Sequence, residues 1–374
     1  MKKEVTILCG LMFAVIALNS NAQIVSIPDL NFKAALITAG IDTSGDGEIS
    51  YAEAALITSL NVNSKSIADL TGIQAFVNLT DLNCYSNQLT SLDMSSNHAL
   101  KYLTCSSNHL TSLIVTGNTA LATLNCVFNN LTSLNVDGDT ALSNLNFYGN
   151  QIASINLSTN TALYYLWCGS NQLTSINLSA NISLGLLDCN SNPLTSLDLS
   201  HNHDMYALTC PWCQLTSLDL SNNTALTYLN CQSNPIATLD LTHNSLLTYI
   251  GLMQMPTLTT VCIWTLPFPP TGVTVDITDS PNVVYLDNCV TSVKDNISQS
   301  IKVYPNPTTG LFYVECPEKQ NIKMEVNNLI GECIVQKKLN NNKNEMDFSI
   351  LPTGMYIIKI TGADWSVQKK IIKE

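Results

Sequence analysis

The 374-residue sequence contains no arginine. Between Lys101 and Lys294 it also contains no lysine and no glutamate, so aspartates alone set the charge of that long middle. The whole chain carries a formal net charge of −12. A surface that captures nucleic acid needs clustered cations to neutralise phosphates, so a nucleic-acid partner is excluded. Beyond the first residues, no apolar run reaches the ~20 residues that a membrane-spanning helix requires. There is no glycine-rich phosphate loop and no zinc-type Cys/His spacing, which removes two large enzyme classes. The last 74 residues break the pattern, with ten lysines against eight acids, and this shift marks a second unit.

The N-terminus, "MKKEVTILCGLMFAVIALNSNAQ", sets Lys2 and Lys3 before an apolar run from Val5 to Leu18. Small residues Ser20 and Ala22 then occupy the −3 and −1 positions of a cleavage site. This is the pattern of a secretory signal peptide over residues 1–22, with no transmembrane segment after its removal.

From Leu79 to Leu246 the chain divides into eight units of 21 residues, starting at Leu79, Leu100, Leu121, Leu142, Leu163, Leu184, Met205 and Leu226. Each reads roughly LxxLxCxxNxLTSLDLSxNTA. A 22-residue variant precedes them and a degraded unit follows from Leu247. A fixed period of this length with this Leu/Asn pattern predicts a leucine-rich-repeat solenoid. One coil cannot enclose a core, but stacked coils can. Leu82 and Cys84 of the first unit are expected on a short strand of a parallel sheet. Ten coils at ~4.8 Å each would span roughly 45–50 Å. "LTSLDLS" reads as a second extended segment, and little helix is expected inside the solenoid.

Two asparagine columns run through the units, one through Asn87, Asn108 and Asn192, the other through Asn97, Asn118 and Asn160, with Asp139 in register. Asn accepts tight turns, and its amide can satisfy backbone groups of a neighbouring coil. Cys84, Cys105, Cys126, Cys168, Cys189, Cys210 and Cys231 form a third column, with Phe147 filling its gap. Parallel side chains on stacked coils leave Cβ atoms ~4.8 Å apart, beyond the preferred disulfide range, so buried free thiols are expected. Cys213, beside Trp212 in the asparagine column, has no evident role. Cys262 and Cys289, flanking the end of the solenoid, are the candidate disulfide; Cys316 and Cys333 are a second possible pair.

Ahead of the repeats, "DTSGDGEISYAE" matches the spacing of an EF-hand loop. Asp42, Ser44 and Asp46 take positions one, three and five. Gly47 supplies the turn, Glu48 a carbonyl at seven, Ser50 a water-mediated contact at nine, and Glu53 the bidentate carboxylate at twelve. One calcium ion of low affinity is the expected cofactor, because serine replaces a stronger ligand at position three. Both flanks, "IPDLNFKAALITAG" and "YAEAALITSL", have helical apolar spacing. Open solenoid ends need covers, so this segment also serves as a lid.

The stretch from about Ile27 to Asp240 resembles internalin-like leucine-rich-repeat proteins of Bacteroidetes type. It does so through "IPDLNFKAALI", "GDGEIS" and "LNVNSKSIADLTGIQAFVNLTDLNCYSNQLTSLD". After a polar linker, "VYPNPTTG", "NLIGE", "LPTGMYIIKI" and the lysines at 369 and 370 open, punctuate and close a run of short strands. The turn spacing predicts a small β-sandwich. The same motifs resemble the C-terminal (type A) sorting domain of type IX secretion cargo. That resemblance implies a partner in the type IX machinery and a protein secreted or attached to the outer surface of a Gram-negative bacterium. The fold class is thus mainly β. The expected organisation is a signal peptide at 1–22, a helical EF-hand-like cap at 23–56 and the solenoid at 57–266. A C-terminal cap and linker at 267–300 and the sorting domain at 301–374 complete it.

On the presumed concave face, Asp81 and Asp188 are the carboxylates in the exposed sheet columns of these repeats, five coils or ~24 Å apart. A glycosidase pair needs ~5–9.5 Å. No histidine joins them, so no base serves a nucleophile and no enzyme is expected. What the face offers is aromatic: Tyr85, Tyr102, Tyr148, Tyr165, Trp167, Tyr228 and Tyr249, with Asp188 beside them. Such surfaces suit a protein or glycan ligand. Binding or adhesion is the expected function; the alternative is a structural cell-surface component without a specific ligand.

Overall fold

The computed structural model describes residues 23–287, 301–316, 322–328, 333–339, 343–361 and 366–374. The expected signal peptide, residues 288–300 of the expected linker and Cys289 lie outside them. The chain forms two compact units, one ending at Asp287 and one beginning at Asn288.

The first unit is a β-solenoid. One three-residue strand per coil builds an 11-stranded sheet, from Ser59–Asn61 through Asp81–Asn83 and onward to Tyr249–Gly251 and Thr274–Asp276. All its pairings are parallel, and through the 21-residue units the register repeats coil on coil: Leu82 opposes Leu103, and Leu103 opposes Leu124. In strands such as Asp81–Asn83, Thr123–Asn125 and Tyr165–Trp167 the central leucine is buried and its two neighbours face the sheet surface. This alternation is the ordinary pleat of a strand, and it divides each coil into core and display positions.

The solenoid extends further than the sequence reading placed it. Residues 267–300 were expected to be cap and linker, yet Thr274–Asp276 pairs with Tyr249–Gly251, and Val284–Leu286 pairs with Thr260–Cys262. A proline-bearing insertion, "LPFPPTG", lengthens this coil and hides its period, while its backbone still completes the ladder. The second extended segment is also less regular than expected. It pairs into sheet at Ser91–Asp93 with Ser112–Ile114 and at Thr238–Asp240 with Thr260–Cys262, whereas the middle coils carry no strand there.

The asparagine columns hold the coils together. In the first, Asn192 Nδ2 donates to the carbonyls of Cys168 and Cys189, both at 3.0 Å, and its Oδ1 accepts from Leu173 N. In the second, Asn118 Nδ2 donates to Met94 O and Asn97 O, one coil earlier. Buried carbonyls at each corner are thereby satisfied without water. The residue before the first column takes a left-handed φ in coil after coil, as at Ser86, Ser107, Phe128 and Trp212.

At the N-terminal end, helix Leu30–Thr38 is capped by Asp29, and Tyr51–Ala54 forms a single turn. The second helix is shorter than its apolar spacing suggests, because the chain must enter the first sheet strand at Ser59. Phe32, Leu36, Ile49 and Ala54 are buried in the same apolar cluster as the solenoid leucines, so this segment covers the first coil.

The second unit contains two antiparallel sheets. One joins Lys302–Tyr304, Leu311–Glu315 and Lys343–Asp347; the other joins Cys333–Leu339, Ile322–Asn327, Gly354–Thr361 and Ser366–Lys373. Phe312, Val314, Met324, Phe348, Ile358 and Ile371 of both sheets share one core. No helix among the described residues is long and apolar enough to cross a membrane.

Candidate functional site

The cysteine column is interior. Cys84, Cys105, Cys126, Cys168, Cys189, Cys210 and Cys231 are buried free thiols, and Phe147 is equally buried. Burial pushes the thiols of Cys84, Cys126 and Cys231 up to about 12. A thiol held that high supplies no nucleophile at neutral pH. Cys262 is disulfide-bonded. Its expected partner, Cys289, lies outside the described residues. Cys316 and Cys333 are not joined to each other, so that second pair does not form.

The candidate calcium loop is closed by its own hydrogen bonds. Glu53 Oε1 accepts from the backbone N–H groups of Thr43 and Ser44 and from Thr43 Oγ1, at 2.8–3.0 Å. Its Oε2 accepts from Ser50 N and Ser50 Oγ, completing a capping box. The Ser50 N–H above all, with the other donors, holds the Glu53 carboxyl down to about 2 against the opposing effect of burial. Asp42 accepts from Gly45 N and Gly47 N, and Asp46 accepts from Glu48 N. The Glu48 side chain pairs with Lys33 at 2.5 Å. Asp42, Ser44, Asp46, Glu48 and Glu53 thus share one loop, but their carboxylates are turned onto N–H donors and a lysine. Among the described residues no group of three His, Cys, Asp or Glu is arranged to hold a metal ion.

The aromatic face resolves into two stacked pairs. Tyr165 and Trp167 flank buried Leu166 on one strand, so both rings stand on the open sheet surface. Their centroids are 5.4 Å apart with planes 12° from parallel. Tyr228 and Tyr249, register partners on adjacent coils, stack at 4.8 Å and 12°. Leu186 and Ala207 fill the same column between them, which separates the pairs. Tyr85 and Tyr102 are exposed on earlier coils, away from both pairs, and Tyr148 packs edge-on against Phe128. Asp188 stands opposite Trp167 in the register; burial raises its carboxyl, and Asn190 Nδ2 holds it at 2.5 Å.

Sequence reading missed part of this patch. Tyr164 meets Tyr165 edge-on at 4.7 Å and Tyr206 at 6.3 Å. Tyr164 and Tyr206 lie two coils apart at one repeat position, with Gly185 between them. A Cβ on Gly185 would lie 2.6 Å from Tyr164 Cζ, so glycine is what lets the ring cross that coil. The signal was present as Tyr, Gly and Tyr on successive coils of one column. Also missed were Thr123, Asn125, Asn144 and Asn146, which line a cavity of about 310 Å³ with Leu124, Tyr165 and Trp167. None of the lining side chains carries a charge at neutral pH. Asn144 Nδ2 donates to Thr123 Oγ1 at 3.3 Å, while its buried Oδ1 has no partner.

Residues 302–374 match the family described as a secretion system C-terminal sorting domain. A 70-residue stretch of the chain is 41% identical to Internalin J of Listeria monocytogenes. The repeats thus resemble those of an internalin, and the chain ends in a type IX sorting domain. The internalin-like match covers 19% of this chain and 8% of that relative. A further relative is the ulvan lyase NLR42 of Nonlabens ulvanivorans, 33% identical over 89 residues, or 23% of this chain and 17% of the lyase. The chain therefore matches only a small part of either relative's length. Among solved structures, the leucine-rich-repeat domain of APL1B is similar at a TM-score of 0.51 and 19% identity, covering 61% of this chain and 69% of that one. The functional domain of InlJ from Listeria monocytogenes, described as including a cysteine ladder, is 22% identical over 94% of this chain and 98% of that one, with a TM-score of 0.46. For the internalin-like chain, the sorting tail implies export by type IX secretion.

Proposed function

We propose that this internalin-like protein works outside the cell as a binding protein, released or held at the surface, and that it takes its ligand on the open face of the solenoid sheet. The observation that carries the reading is the Tyr165–Trp167 stack beside an uncharged cavity of about 310 Å³. Aromatic rings offer large contact area at low entropic cost, and the asparagine and threonine side chains around them supply directional polar contacts. A ligand that docks here is neutral where it meets the cavity, which a protein loop or a glycan ring can satisfy. The buried thiols and the wide separation of Asp81 from Asp188 speak for binding rather than catalysis.

The test is a combined protein and glycan array probed with the mature chain, alongside Trp167→Ala and Tyr165→Ala. Both variants remove surface rings and leave Leu166 in the core, so folding should persist by circular dichroism. The expected result is one ligand class that binds the native chain and is lost at least tenfold in both variants. Equal binding by native and variant proteins would move the ligand off this face. Silence across the array would favour a structural surface component.

A further inference from the structure

The sequence Cys210-Pro211-Trp212-Cys213 departs from the repeat at one point. Position 213 belongs to the first asparagine column, whose members on either side are Asn192 and Asn234. Asn192 and Asn234 each donate through Nδ2 to two cysteine carbonyls. Cys213 keeps one of these contacts, its Sγ donating to Cys189 O at 3.4 Å. The exchange places a second sulfur alongside the cysteine column. Cys213 thus rests its sulfur against the backbone of Cys189, one coil earlier. Both residues are buried, and both are free thiols.

Cys213 differs from the column in its acidity. Column thiols are raised by burial, and Cys189 is raised first of all by the neighbouring Cys213 side chain. Cys213 is lowered, first by the Cys189 side chain, with help from Asn192. It therefore holds the thiolate more readily, and the thiolate is the attacking form. It also sits next to the surface. Trp212 is 55% exposed and has a left-handed φ of 51°, so the turn above Cys213 is strained and solvated. Exported chains meet conditions in which disulfides persist.

We propose that Cys189 and Cys213 are a redox-active dithiol that closes into a disulfide between adjacent coils. The oxidant class is an external disulfide, R–S–S–R′. The Cys213 thiolate attacks one sulfur, forming a mixed disulfide and expelling R′–S⁻, which takes up the Cys213 proton. The Cys189 sulfur then attacks Cys213 Sγ as its proton passes to the departing sulfur, so that the bond to R breaks and R–SH leaves. Two protein thiols lose two electrons and two protons, and the external disulfide becomes two thiols. The product ties one coil to the next, which restricts the unfolded chain.

The experiment uses the full chain, equilibrated with oxidised and reduced glutathione at several ratios, then blocked with iodoacetamide. Without Lys or Arg between Lys101 and Lys294, trypsin leaves this region uncut, so cleavage at Asp and at aromatic residues precedes mass spectrometry. Peptides linked through Cys189 and Cys213, and a melting temperature several degrees higher after oxidation, are expected. Cys213→Asn restores the repeat residue, so it should fold and should lose both the linkage and the oxidative shift. Cys210→Ser should keep both. Thiols at 189 and 213 that stay alkylatable under fully oxidised glutathione would overturn the proposal, as would a linkage that joins Cys210 to Cys213 instead.

Discussion

Tyr164 crosses Gly185 to reach Tyr206, ring centroid to ring centroid at 6.3 Å, two coils away. The contact joins residues 42 positions apart and extends the Tyr165–Trp167 stack sideways. Burial first, then the neighbouring Tyr165, raises the Tyr206 hydroxyl. The patch is therefore a connected cluster, with each ring limiting the freedom of the next.

Gly185→Ala tests that connection. The added Cβ would stand 2.6 Å from Tyr164 Cζ, so the ring must swing aside. Core leucines are untouched, but Gly185 is itself buried under the Tyr164 ring, so the overpacking should cost about 1 kcal/mol. The near-ultraviolet circular dichroism of the aromatics should fall, and ligand binding should weaken with it. An unchanged spectrum would show that the cluster does not depend on this glycine.

Asp139→Asn should stabilise the solenoid. Asparagines of the second column donate twice and leave Oδ1 without a donor, so the column offers carbonyls and no N–H groups. Asp139 occupies this column fully buried, with neither oxygen partnered. Burial first, then Asp137, raises its carboxyl to about 7. A folded value above the unfolded one means that the native state binds more protons, so native stability falls as pH rises from about 4 to about 7. The variant should gain about 1–2 kcal/mol at pH 8, the cost of an unsatisfied buried group, and much less at pH 4. Urea unfolding at the two pH values measures the difference.

Glu53→Gln should loosen the N-terminal lid. The carboxylate accepts five hydrogen bonds from Thr43, Ser44 and Ser50, and it is held down to about 2. A depressed value gives stability that is present above the unfolded value near 4.5 and lost as pH falls through about 2. The substitution should cost about 1 kcal/mol, because an amide offers one acceptor oxygen where the carboxylate offers two and sets an NH2 group against N–H donors, with faster amide exchange at Thr43, Ser44 and Ser50. Because the same oxygens would have to leave these donors to bind an ion, millimolar calcium should leave the native melting temperature unchanged. A calcium-dependent rise that Glu53→Gln abolishes would show that the loop re-forms around the ion.

Native thiol labelling should discriminate by depth. Cys333 is exposed, whereas the column thiols are buried and strongly raised. N-ethylmaleimide should modify Cys333 within minutes, and Cys84, Cys126 and Cys231 only after denaturation. Rapid native labelling of those three would mean that the coils open.

The amino-acid sequence by itself determined the coil, its inward leucines, the cysteine column and both asparagine columns. Each of these is a contact between a residue and its counterpart one coil away, so the physics repeats with the period and can be read from it. The sorting tail was equally legible, through local turn and strand motifs. Only the tertiary structure decided where the solenoid stops, because the insertion after Leu266 erases the period while the backbone ladder continues. It also decided that Glu53 gathers the donors of Thr43, Ser44 and Ser50, and that Cys213 meets the carbonyl of Cys189. It determined which tyrosines touch across a glycine. These contacts rest on side-chain rotamers at single, non-repeating positions, where three-dimensional packing, and no period, selects the partner.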